Sequence, residues 1–283
     1  MENDIYCELK HLYTEFKVLN KINSDMSAIS AIAKKIVPYR LFHSLRMLKK
    51  PDLYVPLDSV TYNQDGLITV HNCDFIKDAD FNRAYRAGEN LDSWWNAKIQ
   101  WRVHTLFWAA ARGEKLEGDF VECGVHKGGF SRAVIEYINF NQIKDKKFYL
   151  LDTFEGLSEK YVSEEEKKHG VLNYAYEGNY EEVKQTFKRF ENVVIIKGAV
   201  PDTLSQVKAE KICYLSIDMN CAAPEVAAAD FFWDRLVSGA AIVLDDYGWA
   251  KHIVQKHAFD DFAKRKDVPI LSLPTGQGLI LKP

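Results

Sequence analysis

The sequence predicts an α/β protein built on a doubly wound sheet of seven strands, and three observations carry that expectation. Short apolar runs recur from Phe120 to the C-terminus, helix-like segments of crossover length separate all but the last two, and those two are joined by a loop too short for a helix. Runs spaced in this way are strands of a largely parallel sheet buried under helices. The short final connection makes a hairpin, so the last strand pair is antiparallel.

In chain order, residues 1–80 read as a helical and then irregular extension and residues 81–283 as the sheet domain. Ile29, Ile32, Ala33, Ile36 and Val37 fall at helical spacing before Pro38, which ends or kinks a helix. Leu41, Leu45 and Leu48 form a second short stripe with Arg40, Arg46, Lys49 and Lys50 around it. Such a stripe faces a core or a dimer interface more often than a membrane surface. Pro51 and Pro56 bracket an extended stretch, and Asn63-Gln64-Asp65-Gly66 is a turn signal joining two short strands. From Asp92 to Arg112 the pattern is helical again, with Trp94, Trp95, Trp101, Leu106, Phe107 and Trp108. The strands follow as Phe120-Val121, Phe148-Tyr149-Leu150-Leu151, Val193-Val194-Ile195-Ile196, Cys213-Tyr214-Leu215-Ser216-Ile217, Ala241-Ile242-Val243-Leu244, Ile270-Leu271 and Leu279-Ile280-Leu281. Pro274-Thr275-Gly276-Gln277-Gly278 closes the final hairpin.

Composition excludes several classes of function. Apolar residues are 47% and charged residues 27%, which is ordinary for a folded globular chain. A net charge of −3 provides no footprint for nucleic acid. Cys7, Cys73, Cys123, Cys213 and Cys221 are odd in number and scattered, with no C-x-x-C pair, which argues against a disulfide framework or a structural zinc site. No apolar run is long enough to span a membrane. The start, Met1-Glu2-Asn3-Asp4, is acidic where a secretion signal is basic and then apolar, so the expected compartment is the cytoplasm.

In open α/β sheets ligands bind beyond the carboxyl ends of the strands, so the residues that end each run carry the functional argument. The first run ends in Glu122-Cys123-Gly124-Val125-His126-Lys127-Gly128-Gly129-Phe130-Ser131. Its glycines let backbone approach a ligand, and a helix starting near Ser131 aims N–H groups at the same place. The loop is neither the G-x-G-x-x-G of dinucleotide binders nor a Walker loop, which disfavours a diphosphate and leaves a cofactor with a carboxylate tail. The second run ends in Asp152-Thr153-Phe154-Glu155-Gly156, with an acid placed to accept hydrogen bonds from a ribose. Two further runs end in Asp218-Met219-Asn220 and Asp245-Asp246-Tyr247. Asp218, Asp245 and Asp246 on neighbouring strand tips would crowd three negative charges, which a bound cation or a shared proton relieves. Oxygen-only ligands suit Mg²⁺ or Mn²⁺.

Six parallel strands and one reversed near the C-terminus form the arrangement of class I, Rossmann-like methyltransferases. As a set, VECGVHKGGFS, LLDTFEGL, the GAVPDTL stretch, LSIDMN and VLDDYG resemble the macrocin O-methyltransferase family over about residues 80–283. Members of that family methylate sugar hydroxyls of antibiotics such as tylosin, mycinamicin and novobiocin. The resemblance implies an S-adenosylmethionine-dependent methyltransferase domain that also uses Mg²⁺. It puts Glu122, Gly124, Val125, Gly128, Ser131, Asp152, Thr153 and Phe154 at the cofactor and Asp218, Asp245 and Asp246 at the metal. It also implies a sugar-like small-molecule hydroxyl acceptor, and the N-terminal helices suggest a homo-oligomer.

The family often reads Asp-x-Asp where this chain has Asp218-Met219-Asn220, and the second Asp is its proposed general base. Asn220 takes no proton, although a carboxamide can orient a hydroxyl beside Asp218. The candidate base is therefore His252, just after the metal motif, with His126 in the glycine loop as the alternative. Trp94, Trp95 and Trp101, with Tyr85 and Arg86 before them, offer aromatic faces for a lid over a sugar, although tryptophans at helical spacing more often belong to a core. Two rival readings stand beside this one. A nicotinamide-dependent dehydrogenase lacks its glycine pattern here, and a cofactor-binding protein without catalysis gains weight from Asn220.

Overall fold

The Asp65-Gly66 signal closes a hairpin. Strands β1 (Tyr62–Gln64) and β2 (Leu67–Thr69) pair antiparallel, with Gln64 opposite Leu67. Asp65 and Gly66 take φ of 52° and 73°, the two positive values of a type I′ turn, whose twist matches that of the flanking strands. This hairpin opens the part of the chain that the computed structural model describes, residues 59–173 and 178–283. The helices expected at 29–37 and 41–50 and the extended stretch at 51–56 lie outside the described residues.

Helix α1 (Ala79–Glu89) starts where the Asp78 carboxylate accepts the Phe81 N–H at 2.8 Å, satisfying one of the donors a helix start leaves open. Helix α2 (Gln100–Glu114) is shorter than the expected 92–112 helix. Asp92, Trp95 and Asn96 take φ of 52°, 46° and 62°, which no right-handed helix admits. The chain turns there instead. Trp94 is buried against Tyr85 and Phe130, while Trp95 stays 56% exposed.

The remaining strands are β3 (Asp119–Cys123), β4 (Phe148–Asp152), β5 (Val193–Lys197), β6 (Ile212–Ile217), β7 (Leu236–Leu244), β8 (Leu271–Ser272) and β9 (Gly278–Leu281). They form one seven-stranded sheet in the order β5-β4-β3-β6-β7-β9-β8, with β9 antiparallel to both neighbours and the other pairs parallel. Alternation along each strand divides the core. Phe120, Phe148, Leu150, Tyr214 and Val243 pack on the side of α1, α2 and α3 (Gly129–Tyr137). Val121, Leu151, Leu215, Ile217, Ile242 and Leu244 pack on the side of α6 (Ala222–Phe232) and α7 (Ile253–Lys266), α4 (Glu164–Lys168) and α5 (Tyr180–Phe187) falling between β4 and β5. Strands buried on both faces read as the unbroken apolar runs seen in the sequence. Among the described residues no helix is long and apolar enough to cross a membrane.

The order reverses between β3 and β6, the switch point at which such sheets bind ligands. Register aligns the tips there. Cys123 pairs with Leu151 and Ile217, and Ile217 with Leu244. The next residue of each strand therefore stands in one row: Asp152, Gly124, Asp218 and Asp245.

Candidate active site

Beyond this row lies a cavity of about 620 Å³. Gly124, Val125, Asp152, Thr153 and Phe154 line one side of it, while Glu122, Gly128 and Ser131 lie behind the lining. At Gly124, with φ of 90°, a Cβ would sit 1.8 Å from the Asp218 carbonyl oxygen, so the loop can pass the β6 tip only without a side chain. Asp152 does more than wait for a ribose. Its Oδ2 accepts the N–H groups of Val125 and His126 at 2.6 and 2.8 Å, and its Oδ1 accepts that of Phe154 at 2.6 Å. One carboxylate thus folds the glycine loop onto the β4 tip and still has lone-pair capacity. Glu122 differs. Both its oxygens are buried with only the Ser131 hydroxyl near enough to favour the charged form, and burial, with Asp152 and Asp245 nearby, pushes its carboxyl up to about 8.

On the other side, Asp218, Asp245 and Asp246 each offer one oxygen within 4.8 Å of the others. Burial and mutual repulsion raise the Asp218 carboxyl well above its ordinary range and that of Asp246 to about 6. Asp246 Oδ2 is buried and accepts no hydrogen bond. Three hard oxygen ligands, one of them unsatisfied, fit a divalent cation such as Mg²⁺ or Mn²⁺. One positive charge of the protein already stands here, and sequence reasoning missed it. Arg102 donates from Nη1 to Asp245 Oδ2 at 2.6 Å and grips Asp65 with Nε and Nη2 at 2.8 and 2.9 Å. Gln277 Nε2 donates to Asp245 Oδ1 at 3.0 Å. Because Asp65 balances Arg102, the aspartate cluster remains short of positive charge.

The candidate bases separate. His126 Nδ1 lies 3.2 Å from the Ser93 carbonyl oxygen, its ring stacks on Trp95, and burial lowers its pKa, all on the glycine-loop side. His252 joins the aspartates, with Nδ1 at 3.7 Å from Asp246 Oδ2 and 2.5 Å from Gln255 Oε1. The Gln255 amide is oriented by Glu225, whose Oε1 accepts both Gln255 Nε2–H and the Met219 N–H at 3.0 Å. With its Nε2 so engaged, Gln255 presents an acceptor, which favours the neutral His252 tautomer with its proton on Nδ1 and the lone pair on Nε2. Asn220, at φ of 54°, holds its Nδ2 3.4 Å from Asp218 Oδ1. Neither Gln255 nor Glu225 is marked by any sequence motif.

Trp95, Trp249, Leu157, Tyr161 and Val162 also line the cavity. The lid expected from the tryptophans therefore divides: Trp94 and Trp95 line the cavity, while Trp101 packs on Phe75 and His104 away from it, Tyr85 is core and Arg86 is exposed. Glu166 ties the 157–166 segment down. It completes the capping box of α4 with Ser163 and accepts the Ala222 N–H at 2.7 Å, at the start of α6.

A family model described as macrocin-O-methyltransferase (TylF) matches residues 102–271. The demethyldecarbamoylnovobiocin O-methyltransferase of Streptomyces niveus is 21% identical over 164 residues, 55% of this chain and 62% of that protein. A tetracenomycin-type 4'-O-methyltransferase of Streptomyces olivaceus, named for an acceptor with a dimethoxy-rhamnosyl group, is 24% identical over 157 residues, 53% of this chain and 58% of that protein. The chain thus spans about three-fifths of the length of the curated relatives it matches. Among solved structures, the O-methyltransferase NovP superposes with a TM-score of 0.57 at 18% identity, covering 64% of this chain and 79% of that one. The calicheamicin methyltransferase CalS11 superposes with a TM-score of 0.51 at 13% identity, covering 82% and 98%. At these identities the likeness is one of fold.

Proposed function

Because the chain belongs to the macrocin O-methyltransferase family, we propose that it transfers a methyl group from S-adenosylmethionine to a hydroxyl of a sugar-like small molecule, with a divalent cation at Asp218, Asp245 and Asp246. The observation that carries this reading is the convergence of three carboxylates, two of them buried and Asp218 half-buried, beside a glycine loop at the switch point of the sheet. When bound, the sulfonium supplies an electrophilic methyl group and the Mg²⁺ or Mn²⁺ ion supplies charge that favours loss of the hydroxyl proton.

The chain's own residues do the rest. The loop from Gly124 to Gly128, folded by Asp152, admits the cofactor, with Thr153 and Phe154 on the same wall and Ser131 at the start of α3. The buried Glu122 carboxyl ionises when the cofactor's ammonium group arrives to pair with it. Asn220 orients the acceptor hydroxyl, and His252 takes its proton at Nε2, held in that tautomer by Gln255. The oxygen gains the methyl group as the carbon–sulfur bond breaks, leaving S-adenosylhomocysteine and a methyl ether. Trp95, Trp249 and the 157–166 segment cover the reaction from water.

The test is calorimetric titration of S-adenosylhomocysteine, with and without Mg²⁺, followed by methyl transfer to a panel of sugars. Micromolar binding with metal-dependent product formation is the expected result. Binding without product on any acceptor would favour the second reading, a cofactor-binding protein without catalysis, which Asn220 supports. Absence of binding would sink both.

A further inference from the structure

Arg102 stands in the first turn of α2, where a cation opposes the helix dipole and an acid is the favoured residue. It is held there by charges outside its own helix. Its side chain is 16% exposed, that of Asp65 is 10% and that of Asp245 is 3%, so the three form a desolvated row. The fork geometry commits Nε and Nη2 to the two Asp65 oxygens and leaves Nη1 for Asp245. Asp65 is itself fixed, since it sits at the tip of the two-residue turn. Beside it, Gly66 lies close enough to the Trp249 ring that a Cβ would stand 3.3 Å away. Trp249 in turn receives the Arg102 guanidinium 5.6 Å from its ring centroid. Gln277 takes the other oxygen of Asp245. The β1–β2 hairpin, which lies before the family match that begins at residue 102, is thereby wired to a proposed metal ligand.

We propose that Asp65 and Arg102 are a positioning pair for the cation site, with Arg102 fixing the Asp245 carboxylate and Asp65 neutralising the guanidinium that would otherwise repel a divalent ion. The proposal rests on the reading that Asp218, Asp245 and Asp246 hold such an ion. It gives the pair two separable effects. Removing Asp65 alone leaves an uncompensated cation beside the site. Removing both members loses the grip on Asp245 but not the charge balance.

The experiment is Mn²⁺ binding to the full chain, followed by electron paramagnetic resonance, for wild type, Asp65→Asn and the double variant Asp65→Asn with Arg102→Gln. Calorimetry with S-adenosylhomocysteine and no metal serves as the control. The expected order is wild type tightest, the double variant intermediate and Asp65→Asn weakest. The single change should weaken Mn²⁺ by about 10–100-fold, as the loss of groups that orient metal ligands does. Cofactor affinity should stay unchanged, which a general loss of structure would not allow. Wild-type Mn²⁺ affinity in Asp65→Asn overturns the charge balance. If that variant does not fold, the double variant still decides, because Mn²⁺ affinity equal to wild type overturns the positioning role. A wild-type chain that binds S-adenosylhomocysteine but no Mn²⁺ overturns the metal reading itself, and the pair's role with it.

Discussion

The two halves of the cavity use the same residue type in opposite ways. On the glycine-loop side, Asp152 satisfies its carboxylate with three backbone N–H groups and so builds the loop it sits in. On the aspartate side, burial and the charge of Asp245 raise both Asp218 and Asp246, and Asp246 Oδ2 is buried with His252 Nδ1 3.7 Å away, beyond hydrogen-bond reach. The first arrangement is complete within the protein. The second is a conflict that folding alone leaves standing, and sites of that kind are where an external charge is bound. The contrast teaches that acid content does not mark a metal site. What marks it is carboxylates crowded at neighbouring strand tips whose combined charge the chain's own donors do not match.

The largest effect should come from relieving that conflict. Asp218→Asn removes one proposed ligand and one repelling charge, so kcat should fall by on the order of 1000-fold, a loss of about 4 kcal/mol of transition-state stabilisation. The same variant should melt at a higher temperature than wild type in EDTA at pH 8. The sign follows from the raised pKa of Asp218: its protonated form stabilises the fold below the ordinary carboxylate range, and that contribution is lost as pH rises toward the folded value. Asparagine never acquires the charge. Full activity of Asp218→Asn in EDTA would break the comparison, because the two halves would then be equally self-sufficient.

A smaller effect belongs to the proton acceptor on the aspartate side. His252→Gln should lower kcat by about 100-fold with little change in the affinity for S-adenosylhomocysteine, in keeping with the usual contribution of a general base. Steady-state kinetics set beside calorimetry would check this. A drop in cofactor affinity with kcat intact would move His252 to the other half of the cavity.

Much of this was legible in the chain. The strands were, because residues buried on both faces make short apolar runs, and the tip residues followed because chemistry collects where such runs end. The β1–β2 turn was readable from Asp65-Gly66, a pair suited to positive φ. The start of α2 was not, since tryptophans at 94, 95 and 101 mimic a helical stripe while Asp92, Trp95 and Asn96 break it with backbone angles that residue type signals weakly. The Arg102 bridge was invisible for a different reason. Its partners lie 37 and 143 residues away, on a separate hairpin and a strand tip that only the tertiary fold brings to α2. The Glu225–Gln255 support of His252 joins α6 to α7 in the same long-range fashion.

The smallest effect would sharpen the comparison from the glycine-loop side. Glu122 is the exception there, a buried carboxyl with no backbone donor and only the Ser131 hydroxyl beside it, raised to about 8. Its folded pKa lies far above its ordinary value, so its neutral form contributes stability that is complete below about pH 4.5 and is lost as pH rises through about 8. Without cofactor, the melting temperature of wild type should therefore fall between pH 5 and pH 8. Glu122→Gln, which cannot ionise, should remove part of that fall and melt higher at pH 8. If the carboxylate receives the cofactor's ammonium group, the same change should weaken S-adenosylhomocysteine about tenfold, the scale of one charged hydrogen bond. Higher stability with weaker binding would make Glu122 the counterpart of the aspartates, an anion kept unsatisfied for a ligand. Higher stability with unchanged binding would leave it a buried acid of the β3 strand, and the glycine-loop side would then rest on Asp152 and backbone alone.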